Sequence, residues 1–407
     1  MKNTTFTTYD KFIIVVLTIL QFTVILDFMV LSPLGPILLK DLDISTKQFG
    51  LLVSVYAFTA FASGILSAGF ADRFDRKKYL LFFYIGFMGG TVLCALANTY
   101  ETLLVARIIT GLFGGVISSI SFAIITDLFK VEVRGRVMGF IQMAFAASQI
   151  LGIPIGLELA KHFSWHSSFW LIVSFGIPLG ILIAIVMKPV NAHLSLKTDR
   201  KAFKHLMATV KNKDHIKAFT ATILLATGGY MMIPFGSAYN TNNLGISLDE
   251  LPYLFGITGV SSIISGPLIG KLSDKTGRFK IFFAGSIIAS AMALVYTNLG
   301  ITPFWICSAL NVIMFVGITA RMVSTSALIS VIPKPQDRGA FMSINASFQQ
   351  LAGGISSAVA GMIVSKRADG YIEHYPVLGF VVTGIMAVSL FLVWRLDQFI
   401  KTRDKQV

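Results

Sequence analysis

Charge is scarce in this chain. Asp, Glu, Lys and Arg make up 13% of its 407 residues, about half the share usual in soluble globular domains. Hydrophobic residues reach 55% and mean hydropathy is +0.75, which excludes a fold that must present a polar surface to water. Cysteine is rarer still. Cys94 and Cys307 are the only two; both lie within apolar runs, so no disulfide framework follows and they read as small buried hydrophobes. There is no G-x-x-x-x-G-K-[ST] phosphate loop and no metal-ligand spacing, so ATP-driven work, enzymatic chemistry and a bound cofactor are not expected.

What the chain has instead is long apolar runs, each near the roughly 20 residues that a bilayer core requires of a helix. Twelve can be marked, at approximately 12–39, 48–71, 79–98, 101–127, 137–160 and 167–187, then 217–242, 249–271, 280–299, 302–331, 340–365 and 376–394. The first continues to about Leu39 without a small-residue cleavage site, so it reads as a membrane helix and not a leader. The expected domains are a six-helix bundle at 1–188, a cytoplasmic linker at 189–216 and a second bundle at 217–407.

The cations are placed unevenly. If the N-terminus, the even-numbered loops and the C-terminus share one side, that side holds 27 of the 34 Lys and Arg residues. The other side holds five: Lys40, Lys47, Lys161, Lys366 and Arg367. Cation-rich loops stay in the cytoplasm, so an inner (cell) membrane protein with both termini cytoplasmic is expected. Topology accounts for the net charge of +14, and no nucleic-acid partner is needed. In the linker, Phe203, Leu206, Met207 and Val210 stand among Lys201, Lys204, Lys211 and Lys213. This pattern fits an amphipathic helix on an anionic membrane face, or a plain tether.

The chain repeats at half-length. GFADRFDRKKYLLFF at 69–83 is echoed by GKLSDKTGRFKIFF at 270–283. Asp72 and Arg76 of the first copy correspond to Asp274 and Arg278 of the second, 202 residues on. Arg134-Gly135-Arg136 is likewise answered by Arg338-Gly339-Ala340. Two marks in register point to a duplicated bundle, the plan on which many transporters build a site between two halves.

The first hairpin, Ala68 to Lys77, resembles the G-x-L-a-D-R-x-G-R-K signature of the major facilitator superfamily, with Ala68 and Asp75 in place of its two glycines. The resemblance covers essentially the whole chain. It implies an all-α membrane protein with twelve transmembrane helices in two pseudo-symmetric six-helix bundles, working as a monomer on a small-molecule substrate. It also implies a cytoplasmic gate formed by Asp72, Arg73, Arg76, Asp127, Arg134 and Arg136, with Asp274 and Arg278 in the second half.

LLVARIITGLFGG at 103–115 resembles the R-x-x-x-G motif of proton-coupled members, with Arg107 inside the membrane and Gly111 one turn on. Ionisable groups within a span are functional candidates by default. Asp27 is the one carboxylate near the middle of a span, with roughly 20 Å of helix on either side. It is the natural partner of Arg107, although the two differ in predicted depth by about 10 Å. Burial disfavours a charged carboxylate and a nearby arginine favours it. A cycle that changes both can load and release a proton, and no histidine lies mid-span to compete. A static ion pair is the alternative.

Gly152-Ile153-Pro154-Ile155-Gly156 and the run Trp165 to Trp170 resemble patterns of the drug:proton antiporter, arabinose-efflux-permease-like branch, with His166 replacing the usual Arg and Leu157 and Glu158 replacing two glycines. Gly111, Gly152, Pro154 and Gly156 are the expected hinge. Pro33 and Pro36 are expected to bend the first helix. Gln142, Gln149, Tyr230, Tyr239, Asn311, Asn345, Gln349 and Gln350 outline a substrate cavity, each equally readable as helix–helix glue. Arg321 either binds an anionic group or caps the inner gate.

The resulting expectation is a secondary transporter exporting a small organic compound, drug-like, amphiphilic or sugar-like, in exchange for protons. The alternatives are a proton-coupled importer or facilitator of a nutrient, and a lipid or lysolipid flippase on the same fold. A membrane sensor would call for an attached soluble domain, which these residues do not contain.

Overall fold

The structure is a computed structural model that describes residues 6–68, 73–191, 194, 202–333 and 338–404. The predicted runs fold as helices. Several are α-helical throughout: α3 (Thr46–Ala68), α4 (Arg76–Leu96), α5 (Tyr100–Leu128) and α8 (His166–Val186) in the first half. In the second half these are α12 (Leu251–Thr276), α13 (Arg278–Thr297), α14 (Phe304–Ile329), α15 (Arg338–Ile363) and α16 (Tyr375–Asp404). A short helix in the linker, α9 (Ala202–Lys211), carries Met207 exposed and Thr209 buried; the side chains of Phe203 and Leu206 lie outside the described residues.

Three predicted spans are interrupted, each at a proline. The first divides into α1 (Thr8–Val30) and α2 (Gly35–Asp41), separated by the turn that holds Pro33. The fifth divides into α6 (Val131–Ala147) and α7 (Ile153–His162), joined by a π-helical turn at Ser148–Gly152. The seventh divides into α10 (Lys213–Tyr230) and α11 (Ile233–Asn242). Pro36, Pro154 and Pro234 stand in the first turns of α2, α7 and α11, where a missing N–H is tolerated but a continuing α-helix is not.

Eleven of these helical stretches, among the described residues, are long and apolar enough to cross a membrane. Large apolar side chains face outward along them, Ile85, Phe82, Leu268, Trp305 and Phe380 among them. In water such a surface would be aggregation-prone; hydrocarbon is the solvent it fits.

Packing repeats as the sequence does. α4 pairs with α5 and α13 with α14; α1 with α6 and α10 with α15; α4 with α8 and α13 with α16. By contacts the chain forms two compact units, 1–31 with 55–206, and 32–54 with 207–407. Within the second unit, residues 32–54 are stitched down by polar and aromatic contacts. Thr46 Oγ1 donates to the Val364 carbonyl at 2.6 Å, Lys366 Nζ to the Leu39 carbonyl at 3.1 Å, and Phe49 meets Phe235 edge-on. A two-stranded antiparallel ribbon, β1 (Ser365–Lys366) with β2 (Ile372–Glu373), closes the α15–α16 connection.

Candidate functional site

The described side chains hold one fully buried ion pair. Arg107 Nη1 lies 2.8 Å from Asp27 Oδ2, and both side chains are 0% exposed. Nη1 also reaches the Asp27 backbone oxygen at 3.1 Å. Thr91 Oγ1 of α4 lies 3.2 Å from Asp27 Oδ1, and the Arg107 guanidinium sits 4.5 Å from the Tyr56 ring centroid of α3. Arg107 Nε and Nη2 have no hydrogen-bond partner among the described residues. Such a pair is costly to desolvate and costly to break, so its geometry has to be held by the helices around it.

The predicted depth difference between these residues does not survive. α1 ends at Val30 because Pro33 and Pro36 stop it, so Asp27 stands in its last turn and not mid-helix. Arg107 lies two turns inside α5, whose start is set by the Thr99–Thr102 capping box. Close helix approach completes the site. A Cβ on Gly111 would fall 2.9 Å from Tyr56 Cα, so only glycine lets α5 lie against α3 there and bring Tyr56 under Arg107.

The hairpin residues divide. Asp72 lies outside the described residues, as do the side chains of Arg134 and Arg136; Arg73 is exposed. Arg76 Nε lies 3.1 Å from Asp127 Oδ2, its backbone N–H bonds Val190 O, and Lys77 Nζ donates to Ala184 O at 2.8 Å. Asp75, where the family signature has glycine, caps α4 by accepting the Lys78 N–H. In the second copy Arg278 Nη1 donates to the Ala327 carbonyl at 3.1 Å, and Asp274 is exposed.

Gly152 closes the π turn against Leu26, Gly156 lies against Val30, and Pro154 begins α7. His166 bonds the Ala97 carbonyl at 2.7 Å and stacks on Trp165. Gln142 has a side chain outside the described residues, while Gln149 is half-buried in the π turn.

In the second unit the expected cavity residues form small separate contacts. Gln349 reaches the Tyr230 hydroxyl at 3.5 Å, and Asn345 accepts from Thr222 at 2.7 Å. Asn311 is buried with its carbonyl oxygen unpartnered among the described residues. Tyr239 stacks on Tyr375 and donates to the Leu299 carbonyl just past the end of α13. Arg321, 2% exposed, donates to Ser286 Oγ at 3.1 Å and Ser389 Oγ at 2.8 Å, beside the Phe282 ring.

Sequence reasoning did not find Thr91, Tyr56, Ser286 or Ser389. Threonine, serine and tyrosine are unremarked in a span, and only the packing of α3, α4, α13 and α16 brings Thr91 to Asp27, Tyr56 to Arg107, and Ser286 and Ser389 to Arg321.

The family profile described as Major Facilitator Superfamily matches residues 17–215 and 218–405. The chain belongs to the major facilitator superfamily. As a superfamily member it is 25% identical over 391 residues to an uncharacterized MFS-type transporter, YceJ of Bacillus subtilis, covering 95% of each chain. It is 26% identical over 338 residues to the bicyclomycin resistance protein homolog of Haemophilus influenzae, covering 81% of this chain and 84% of that one. Its fold is similar to the crystal structure of a D-xylose-proton symporter, with a TM-score of 0.79 at 18% identity over 96% and 98% of the two chains. The two-bundle, twelve-helix architecture is that of this superfamily.

Proposed function

We propose that this superfamily member is a proton-coupled exporter of a small organic compound, working by alternating access with Asp27 and Arg107 as the coupling pair. The observation that carries the reading is the ion pair at 2.8 Å with both partners fully buried. A membrane protein retains such a pair at a cost in stability, and a carboxylate that gains and loses a proton would convert that cost into a change of conformer. The likeness to a bicyclomycin resistance protein homolog supports outward transport of an organic solute. The latch at Arg76 and Asp127 supports a gate at the cation-rich face, which the distribution of Lys and Arg assigns to the cytoplasm.

The test is transport in proteoliposomes with an imposed pH gradient, using compounds found in a thermal-shift ligand screen on the purified protein. Wild-type protein is expected to move them against the proton flow. Asp27→Asn is expected to abolish gradient-driven movement and leave substrate counterflow intact. Full gradient-driven transport by Asp27→Asn would sink the coupling assignment. Movement in the same direction as protons would establish an importer instead.

A further inference from the structure

The fold treats the two carboxylate oxygens of Asp27 differently. Oδ2 accepts from Arg107 Nη1 at 2.8 Å, and Oδ1 faces the Thr91 hydroxyl at 3.2 Å. A guanidinium can only donate, whereas a hydroxyl both donates and accepts. Thr91 Oγ1 also lies 3.0 Å from the carbonyl oxygen of Phe87, one turn back on α4. Its single proton therefore has two acceptors. Facing an ionised Asp27 it points at Oδ1. Facing a protonated one it turns to Phe87 O and leaves a lone pair for the new O–H.

Arg107 keeps partners in both states. Its Nη1 reaches the Asp27 backbone oxygen at 3.1 Å, and the face of Tyr56 stays beneath the guanidinium. The charged and titratable groups that face Asp27 are Arg107 from α5, Tyr56 from α3 and Cys94 from α4. α6, α7 and α8 also pack on α1 and bring none, among the described residues. No hydrogen bond joins Tyr56 or Cys94 to the carboxylate. Among the described side chains, Thr91 alone touches the carboxylate and can serve it in both protonation states.

We propose that Thr91 is the positioning residue of the proton site: the proton loads on Asp27 Oδ1, and the Thr91 hydroxyl reverses its donor sense each time the proton arrives or leaves. The step balances simply. A hydronium ion gives up one O–H bond and becomes water, and one O–H bond forms on Oδ1. The inference rests on Asp27 being the proton carrier.

The test needs no substrate. Purified full-length protein in lipid nanodiscs is titrated while the infrared carbonyl stretch of a protonated carboxylic acid is followed, with the Asp27 band assigned by its loss in Asp27→Asn. Thr91→Val takes from the ionised carboxylate the hydroxyl that donates to Oδ1 and from the protonated acid its acceptor, and the bond to the ionised form is the stronger of the two. Its titration midpoint is therefore expected to rise by about half to one pH unit, the size of one buried hydrogen bond. Thr91→Ser keeps the hydroxyl and is expected to restore the wild-type midpoint. An unchanged midpoint in Thr91→Val, or a Thr91→Ser protein displaced as far as Thr91→Val, overturns the role of Thr91 and leaves Asp27 as carrier. Absence of any Asp27 band across the titration overturns the carrier assignment itself, and the role of Thr91 with it.

Discussion

Arg76 places its Nε 3.1 Å from the Asp127 carboxylate, whereas Arg278, 202 residues on, reaches among the described residues only the carbonyl oxygen of Ala327, at the same distance. An ionised acceptor makes the stronger hydrogen bond, and the Arg76 side chain is 7% exposed, which limits screening. The two corresponding arginines thus make contacts of different chemistry. Arg76→Gln is expected to cost about 2 kcal/mol of stability and Arg278→Gln about 1 kcal/mol. Chemical denaturation in detergent measures both, and equal losses would count against that difference.

The pair at Asp27 and Arg107 predicts strong non-additivity. Removing either partner leaves a buried charge alone, at a cost of about 3 kcal/mol or more. Removing both leaves none. Asp27→Asn combined with Arg107→Gln is therefore expected to lose at least about 2 kcal/mol less than the sum of the single losses. Additive losses would mean that the two side chains do not depend on one another.

Gly111 sets how closely α5 approaches α3. Gly111→Val pushes a branched side chain against Tyr56 and Thr59, and overpacking of this kind costs about 1–3 kcal/mol. Gly89 of α4 is a matched control, because nothing lies within 4 Å of a Cβ placed there. Gly89→Ala is expected to be neutral or to gain about 0.5 kcal/mol from helix propensity. Thermal unfolding of the two variants should move in opposite directions, or only the first should move.

Arg321 is a buried cation held by two hydroxyls, with no carboxylate in hydrogen-bond contact among the described residues. Replacing an uncompensated buried charge with an apolar side chain of similar length often stabilises a fold. Arg321→Met is expected to unfold at a temperature equal to or above that of the wild type. If transport falls while stability holds, the guanidinium serves transport and not the fold. A large loss of stability would show that Ser286 and Ser389 compensate the charge fully.

Much of this architecture was legible beforehand. Most of the predicted spans lie within about five residues of the observed helix ends, because a bilayer demands unbroken apolar runs and loops carry the charge; α6 starts six residues before its predicted start and α16 runs ten residues past its predicted end. The break at Met231–Met232 was not anticipated, and where a hinge was expected at Gly152 and Pro154 the π-helical form of the turn at Ser148–Gly152 was not. Hydropathy does not change where a proline removes one hydrogen bond, as Pro154 and Pro234 do. Pro33 and Pro36 were expected to bend the first helix, and they end it.

At the site, Asp27 and Arg107 stood out by themselves, since ionisable residues in apolar runs are rare for an energetic reason that composition alone reveals. Their contact was a matter for the fold. It depends on where α1 stops and on the bare face of Gly111, and neither follows from spacing along the chain. The hydroxyls that complete each arginine's surroundings, Thr91 at Asp27 and Ser286 and Ser389 at Arg321, are chemically ordinary until three helices converge. One-dimensional hydrophobicity therefore determined the class of protein, the number of helices and the identity of the buried charges. Side-chain convergence determined which neighbours those charges have, because a hydrogen bond reaches about 3 Å while its partners here are 35 to 80 residues apart in sequence.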